Sequence, residues 1–70
     1  MLVFDAAAMK RRVELSGIKQ RAISERTGIP EVALSLILQG KRRCEIGEYA
    51  SICEVLNAEA GDFLKPVEPN

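Results

Sequence analysis

The sequence predicts a single all-α domain of five short helices. Residues that end helices recur at short intervals, and each follows a stretch with helical content: Gly17, Gly28, Gly40, Asn57 and Pro66. No stretch alternates apolar and polar residues with a period of two, so we expect no strand. The chain has 70 residues, of which 47% are hydrophobic and 29% charged, and this composition is typical of one small folded domain.

The first helix is predicted over 5–16. Asp5 is a good N-cap residue, because its carboxylate accepts hydrogen bonds from the free N–H groups of a first helical turn. Met9 and Val13 lie four residues apart and therefore share one face of the helix. Gly17 can adopt the left-handed conformation that closes a helix, so the prediction ends there.

Two shorter helices are predicted over about 19–27 and 30–39. Gly28 is the expected C-terminal residue of the earlier one, and Pro30 is a good first residue for the later one. The inward-facing positions are Ile23 and Thr27 on the earlier helix and Ala33, Leu34 and Ile37 on the later one.

A fourth helix is predicted to begin after Cys44-Glu45 and to end at Leu56, before Asn57. Its apolar residues follow the i, i+3, i+4, i+7 pattern of an amphipathic helix. These residues are Ile46, Tyr49, Ala50, Ile52, Cys53 and Leu56. A fifth, single helical turn is predicted over 59–64. We expect residues 1–64 to form the domain and residues 65–70 a flexible C-terminal tail.

The net charge is zero, but the charges are unevenly distributed. Residues 1–43 contain nine basic and four acidic residues, whereas residues 44–70 contain one basic and six acidic residues. Such asymmetry indicates that one part of the chain faces a polyanion, although charges sorted by chance on a solvated surface give the same pattern.

The composition argues against several classes of function. There is no histidine, no phosphate-binding glycine-rich loop and no nucleophile motif, so we expect no enzyme activity and no cofactor. Cys44 and Cys53 are expected to be reduced thiols, and two sulfurs without histidine cannot complete a structural zinc site without carboxylates. No apolar run is long enough to span a membrane, and residues 1–8 lack the basic start of a signal peptide, so we expect a cytoplasmic protein.

The segment 20–39 combines features that a helix-turn-helix requires. Two short helices must cross closely through a tight turn, which demands a small residue at the contact and a residue that tolerates positive φ in the turn. Ser24 and Gly28 meet these two demands. The apolar anchors of the second helix are Ile29, Leu34 and Ile37.

This arrangement resembles the lambda-repressor-like, Cro-type (XRE) helix-turn-helix DNA-binding family. Residues 20–30 resemble the first motif helix and its turn, and residues 31–40 resemble the recognition helix and its exit. Residues 41–43 resemble the basic loop that follows. The similarity extends over about 9–64 and implies a helix-turn-helix DNA-binding domain.

The resemblance implies that the recognition helix enters the major groove of DNA. The implied base-contacting residues are Glu31, Val32, Ser35 and Leu36. The implied DNA-backbone-contacting residues are Lys19, Gln20, Gln39, Lys41, Arg42 and Arg43. Glu31 can accept a hydrogen bond from cytosine, and Val32 or Leu36 can contact a thymine methyl group. Glu31 is equally compatible with a first-turn acid that only stabilises the helix.

The resemblance also implies a phage- or prophage-type transcriptional repressor that acts as a homodimer on double-stranded DNA. Each subunit would place its recognition helix in one of two successive major grooves, about 34 Å apart, and occlude promoter DNA. The candidate dimer interface consists of Phe63, Leu64 and Val67. We expect no membrane partner and no small-molecule substrate.

A second hypothesis is a protein-interaction module or antitoxin with the same fold. In this case Val32, Leu36 and Leu38 would contact a protein rather than DNA. Leu36 and Leu38 would then mark a partner surface together with Leu64 and Val67, because exposed apolar patches often do so. In the alternative interpretation, Leu36 and Leu38 are apolar residues without a binding role.

Overall fold

The computed structural model describes residues 1–67, which contain four α-helices and one two-stranded antiparallel sheet. The helices are α1 (Ala6–Ser16), α2 (Gln20–Thr27), α3 (Glu31–Leu38) and α4 (Ile46–Leu56). The strands are β1 (Leu2–Phe4) and β2 (Leu64–Pro66). The mainly helical prediction is therefore right, but the predicted number of five helices is wrong.

The helix ends follow local residue chemistry, as the sequence predicts. Asp5 caps α1, because its Oδ1 atom accepts a hydrogen bond from the backbone N–H of Ala8 at 3.1 Å. The residues after α1, α2 and α4 all have positive φ, with 73° at Gly17, 79° at Gly28 and 54° at Asn57. These left-handed residues end the three helices.

The predicted fifth helix is a turn. The N–H of Asp62 donates to the carbonyl of Glu59 at 3.1 Å, and the N–H of Leu64 donates to the carbonyl of Gly61 at 3.3 Å. The Asp62 carboxylate in turn accepts from the N–H of Glu59 at 3.0 Å. So short a segment cannot recover the cost of nucleating a helix, and side-chain capping of the turn provides an alternative.

A further expectation is wrong: that the chain forms no strand. The sheet includes Lys65 and Pro66, which the sequence assigns to the C-terminal tail. The paired residues are Leu2 with Pro66, Val3 with Lys65 and Phe4 with Leu64. Beyond the strands, the N–H of Val67 donates to the carbonyl of Met1 at 3.0 Å. Strands of three residues are too short to display alternation, and their partners lie at opposite ends of the sequence. Residues 68–70 of the predicted tail lie outside the described residues.

The four helices enclose one apolar core, in which α1 and α2 each pack against both α3 and α4. No polar or charged residue is buried within residues 1–67. The buried residues are Met9, Val13, Ile23, Ile29, Leu34, Ile37, Leu38, Ile52, Cys53, Leu56 and Phe63.

Two residues that the sequence assigns to partner surfaces belong to the core. Phe63, a candidate dimer contact, is 1% exposed, and Leu38, a candidate protein contact, is 3% exposed. Conversely, Ile46 and Ala50 were expected to face inward, but both are exposed, Ile46 at 88%. The reason is that α4 directs its later apolar residues towards α1 and α2, which leaves the opposite side of its first two turns uncovered.

Tyr49 joins α4 to the turn before β2. Its ring meets the rings of Phe4 and Phe63 edge-on, at centroid distances of 6.0 and 6.2 Å. Its hydroxyl donates to the carbonyl of Ala60 at 2.5 Å and accepts from the N–H of Phe63 at 3.3 Å. Partial burial raises the pKa of Tyr49. Tyr49, which the sequence places in the apolar pattern of the fourth helix, is thus half-buried, and its hydroxyl bonds the segment that leads into β2.

We expect Tyr49→Phe to lower the free energy of unfolding by about 1 kcal/mol. The change removes both hydrogen bonds of the hydroxyl but retains the two edge-on ring contacts. Urea denaturation followed by far-UV circular dichroism measures the effect. An unchanged urea midpoint would indicate that water satisfies the freed backbone groups and that the hydroxyl does not contribute to stability.

Candidate nucleic-acid interface

The turn between α2 and α3 is held by one backbone hydrogen bond at Gly28 and by three side-chain hydrogen bonds of Thr27 and Ser24. Gly28 has φ of 79°, which favours glycine, and its N–H donates to the carbonyl of Ser24 at 2.9 Å. Thr27 Oγ1 donates to the carbonyl of Ile23 at 2.7 Å and accepts from the N–H of Ile29 at 3.2 Å. Ser24 Oγ donates to the carbonyl of Ile29 at 2.5 Å. These bonds fix how α3 leaves α2.

Helix α3 begins one residue later than predicted. Pro30 is its N-cap residue, with φ of −54° and ψ of 141°, and its carbonyl accepts from the N–H of Leu34 at 2.9 Å. Leu34, Ile37 and Leu38 are buried on the inner side of the helix. This burial holds α3 against the core and turns its other side towards solvent.

The outer side of α3 carries the four predicted base-contacting residues. Val32 is 75% exposed and Leu36 36% exposed, and Glu31 and Gln39 are also exposed. Ser35 is half-buried, and its Oγ accepts from Gln39 Nε2 at 2.9 Å. The structure therefore brings all five side chains onto one face, because they follow helical spacing on the side opposite the buried anchors.

The basic loop after α3 is fixed through its backbone. Gly40, with φ of 74°, ends the helix. The backbone N–H groups of Lys41 and Arg42 then both donate to the carbonyl of Leu36, at 2.9 and 3.3 Å. The side chains of Lys41 and Arg43 are exposed. The loop thus presents two exposed cations on a backbone that is hydrogen-bonded to the last turn of α3.

Arg42 differs from its neighbours, because its guanidinium is bound within the domain. Its Nη1 and Nη2 atoms donate to the two carboxylate oxygens of Glu48 at 2.9 and 3.2 Å. Glu48 also accepts from the N–H of Glu45 at 3.0 Å, which is part of a capping box at the start of α4. The hydrogen bond from Arg42 lowers the pKa of Glu48, and the bond to Glu48 raises the pKa of Arg42. Sequence reasoning did not identify Glu48.

The remaining predicted backbone contacts lie at the start of α2. Lys19 is exposed and is the N-cap residue, with φ of −70° and ψ of 147°. Its side chain makes no cap hydrogen bond, which leaves the first N–H groups of α2 without a side-chain partner in the described part of the chain. Gln20 follows as the first helical residue and is half-buried. The predicted backbone contacts therefore occupy two places, one before α2 and one after α3.

Acidic side chains also occur near the outer face of α3. Glu31 lies in the first turn of α3, and Glu45 and Glu48 lie at the start of α4. A shallow pocket of about 400 Å³ separates the α2–α3 turn from these two residues of α4. The surface around the motif is therefore of mixed charge rather than uniformly basic.

A separate apolar groove of about 690 Å³ lies between the exposed side of α4 and the sheet. Its largest apolar lining residues are Phe4, Ile46, Tyr49 and Leu64. Leu64 is 38% exposed, and Val67, another candidate dimer contact, is 47% exposed. Of the three predicted interface residues, only these two remain available to a partner.

The two cysteines are free thiols that line the same groove. Burial raises the pKa of Cys44 to about 11 and also raises the pKa of Cys53. Both therefore remain protonated at neutral pH, and thiols in this form are poor nucleophiles.

The described residues contain no group of three or more histidine, cysteine, aspartate or glutamate side chains arranged to hold a metal ion. Among the same residues, 1–67, each helix is too short or too polar to cross a bilayer.

Comparison with known proteins identifies a family. The model of a family described as a helix-turn-helix domain matches residues 6–63, which include all four helices. Neither a curated protein nor a solved structure matches the chain significantly.

Proposed function

The chain belongs to the helix-turn-helix domain family, and on this premise we propose that it binds double-stranded DNA as a sequence-specific transcription regulator. The observation that carries the proposal is the exposed outer face of α3. Its inner face is fixed by buried anchors, and its orientation is fixed by the hydrogen-bonded turn at Gly28. A helix held in this way can enter the major groove without reorganisation.

Sequence-independent affinity comes from contacts to phosphates. The N-terminal N–H groups of α2, beside Lys19 and Gln20, are oriented donors that favour an anion. Lys41 and Arg43 supply exposed cations after α3, and Gln39 and Arg42 complete the proposed set. Two anchoring positions, one at each end of the motif, set the register of α3 on the duplex.

Sequence reading is assigned to Glu31, Val32, Ser35 and Leu36. A glutamate carboxylate accepts a hydrogen bond from cytosine N4, and apolar side chains contact the thymine methyl group. Ser35 is partly engaged by Gln39 at 2.9 Å, which limits its freedom but leaves its hydroxyl proton free to donate. We therefore propose that Glu31 and the two apolar residues contribute most of the discrimination.

We further propose that the regulator is a cytoplasmic homodimer and acts as a phage- or prophage-type repressor. Two copies of α3 would occupy successive major grooves about 34 Å apart and exclude other proteins from promoter DNA. Leu64, which lines the apolar groove on α4, and the exposed Val67 are the proposed contact between subunits. Residues 1–64 would provide the DNA-binding domain.

Fluorescence anisotropy with a labelled duplex of random sequence tests the proposal. Titrations at low and at physiological salt are expected to give binding that weakens steeply with salt, because bound cations displace counterions from the duplex. Selection from a random pool would then identify the operator. A folded protein that does not bind at low salt would overturn the DNA-binding proposal.

Lys41→Ala is expected to weaken binding to all duplexes and to reduce the salt slope by about 1. The side chain is exposed, so the fold should be unaffected. Lys10→Ala on α1 is the control, because it removes the same charge from an exposed position outside the motif. Equal effects of the two substitutions would indicate that only net charge, and no contact at Lys41, determines affinity.

One observation favours a second function, a protein-interaction module or antitoxin. Val32 is 75% exposed beside Leu36, and the neighbouring Glu31 is acidic. An apolar face of this kind also suits a protein partner. Leu38 is removed from this hypothesis because it is buried. Loss of binding to a co-purifying protein in Val32→Ser, without any change in DNA binding, would favour this function.

A further inference from the structure

Arg42 is held in place from two directions. Its backbone N–H donates to the carbonyl of Leu36 at 3.3 Å, so its Cα is tied to the last turn of α3. Its guanidinium donates to both carboxylate oxygens of Glu48, and Nη1 also donates to the carbonyl of Arg43 at 3.1 Å. Three of the five guanidinium N–H groups are therefore occupied, and the side chain is 37% exposed.

Glu48 is equally constrained. One of its oxygens accepts from Arg42 Nη1 and also from the N–H of Glu45, at 2.9 and 3.0 Å. The capping box places Glu48 at the start of α4, so its carboxylate does not depend on Arg42 for its position. The side chain of Glu48 is 21% exposed. A rigid carboxylate thus faces the middle of the three consecutive cations after α3.

We propose that Glu48 competes with DNA phosphate for Arg42 and thereby lowers the sequence-independent part of the affinity for DNA. This inference rests on the proposed function, because it concerns how the same surface is regulated. A paired guanidinium contributes little net charge, so it displaces few counterions when it approaches a duplex. A phosphate must either share the two remaining N–H groups or displace the carboxylate.

The competition lowers the affinity for all DNA sequences alike. Base contacts by α3 do not involve Arg42, whereas phosphate contacts occur at any sequence. Weakening a phosphate contact therefore lowers specific and non-specific affinity by about the same factor, so the pairing with Glu48 shortens the time spent at every site and leaves the discrimination between sequences to α3. Lys41 and Arg43 remain free to bind phosphate, so the domain retains a general attraction to DNA.

Glu48→Gln tests this inference directly. Glutamine retains an oxygen that can accept the Glu45 N–H, so the capping box is preserved, but the charge that binds Arg42 is lost. The variant is expected to bind a random-sequence duplex about 3- to 10-fold more tightly at low salt, with a salt slope steeper by about 0.9. Glu54→Gln is the matched control, because it removes an exposed charge from the same helix.

A double-mutant cycle establishes whether Glu48 acts through Arg42. In an Arg42→Gln background, Glu48→Gln is expected to change DNA affinity no more than Glu54→Gln does. Far-UV circular dichroism and urea titration verify that every variant is folded. If wild type binds DNA and Glu48→Gln equals Glu54→Gln, or binds more weakly, the competition is refuted while DNA binding stands. If no variant binds the duplex, the proposed function fails first.

Discussion

Replacing Phe63 by alanine is expected to lower the free energy of unfolding by about 3–5 kcal/mol, the largest loss expected for any substitution proposed for this domain. Phe63 is 1% exposed, and truncating a buried phenylalanine costs about 3–5 kcal/mol. Its ring also meets Tyr49 edge-on at 6.2 Å and lies under the guanidinium of Arg12 at 5.5 Å. A 70-residue domain has only about 3–10 kcal/mol of total stability, so this loss removes between about a third and all of it.

Far-UV circular dichroism and urea denaturation of Phe63→Ala measure the effect. Leu64→Ala is the matched control, because the next residue is 38% exposed and its truncation should cost about 1 kcal/mol or less. Sedimentation equilibrium of Leu64→Ala is expected to show weaker self-association at an unchanged fold. A monomeric Phe63→Ala protein with an unchanged urea midpoint would instead return Phe63 to the subunit interface.

Replacing Glu31 by glutamine is expected to change the DNA sequence that the protein selects. Glutamate accepts a hydrogen bond from cytosine N4, whereas glutamine forms a bidentate pair with adenine N6 and N7. The preference at one base pair should therefore move from cytosine towards adenine, by about 1–3 kcal/mol. Glu31 is exposed and makes no side-chain cap, so the cost in stability should not exceed about 1 kcal/mol.

Selection of duplexes from a random pool, carried out in parallel for wild type and Glu31→Gln, measures the shift in preference. Glu14→Gln is the control, since it removes the same charge from an exposed position on α1. Both variants should bind random duplex slightly more tightly, because each removes one negative charge. An identical selected sequence for Glu31→Gln and wild type would mean that Glu31 only stabilises the N-terminus of α3.

Helix ends and most of the core were predictable, because both depend on residues close together in the chain. Asp5 caps α1 and Gly28 opens the α2–α3 turn through their own backbone and side-chain chemistry. The burial of Leu34 and Ile37 follows from helical spacing alone. The failures occur at Leu38 and Ile46, where spacing identifies an apolar residue but does not say whether another element covers it.

The interface was predictable in its composition but only partly in its geometry. Helical spacing places five residues on the outer face of α3, at positions 31, 32, 35, 36 and 39. The roles of Arg42 and Ser24 depend on distances that spacing does not provide. Arg42 reaches a carboxylate on α4, and the Ser24 hydroxyl reaches the carbonyl of Ile29 across the turn.

The sequence by itself determined four helical segments to within one residue at each end, and with them the helix-turn-helix at residues 20–39, because caps, glycine turns and apolar periodicity act over a few residues. Only the tertiary structure decided three further features, since each joins residues that are distant in the chain or in different elements. These are the sheet between residues 2–4 and 64–66, the burial of Phe63, and the pairing of Arg42 with Glu48. Backbone pairing and ion pairing have no periodic signature, and they arise only when packing of the helices brings their partners within reach.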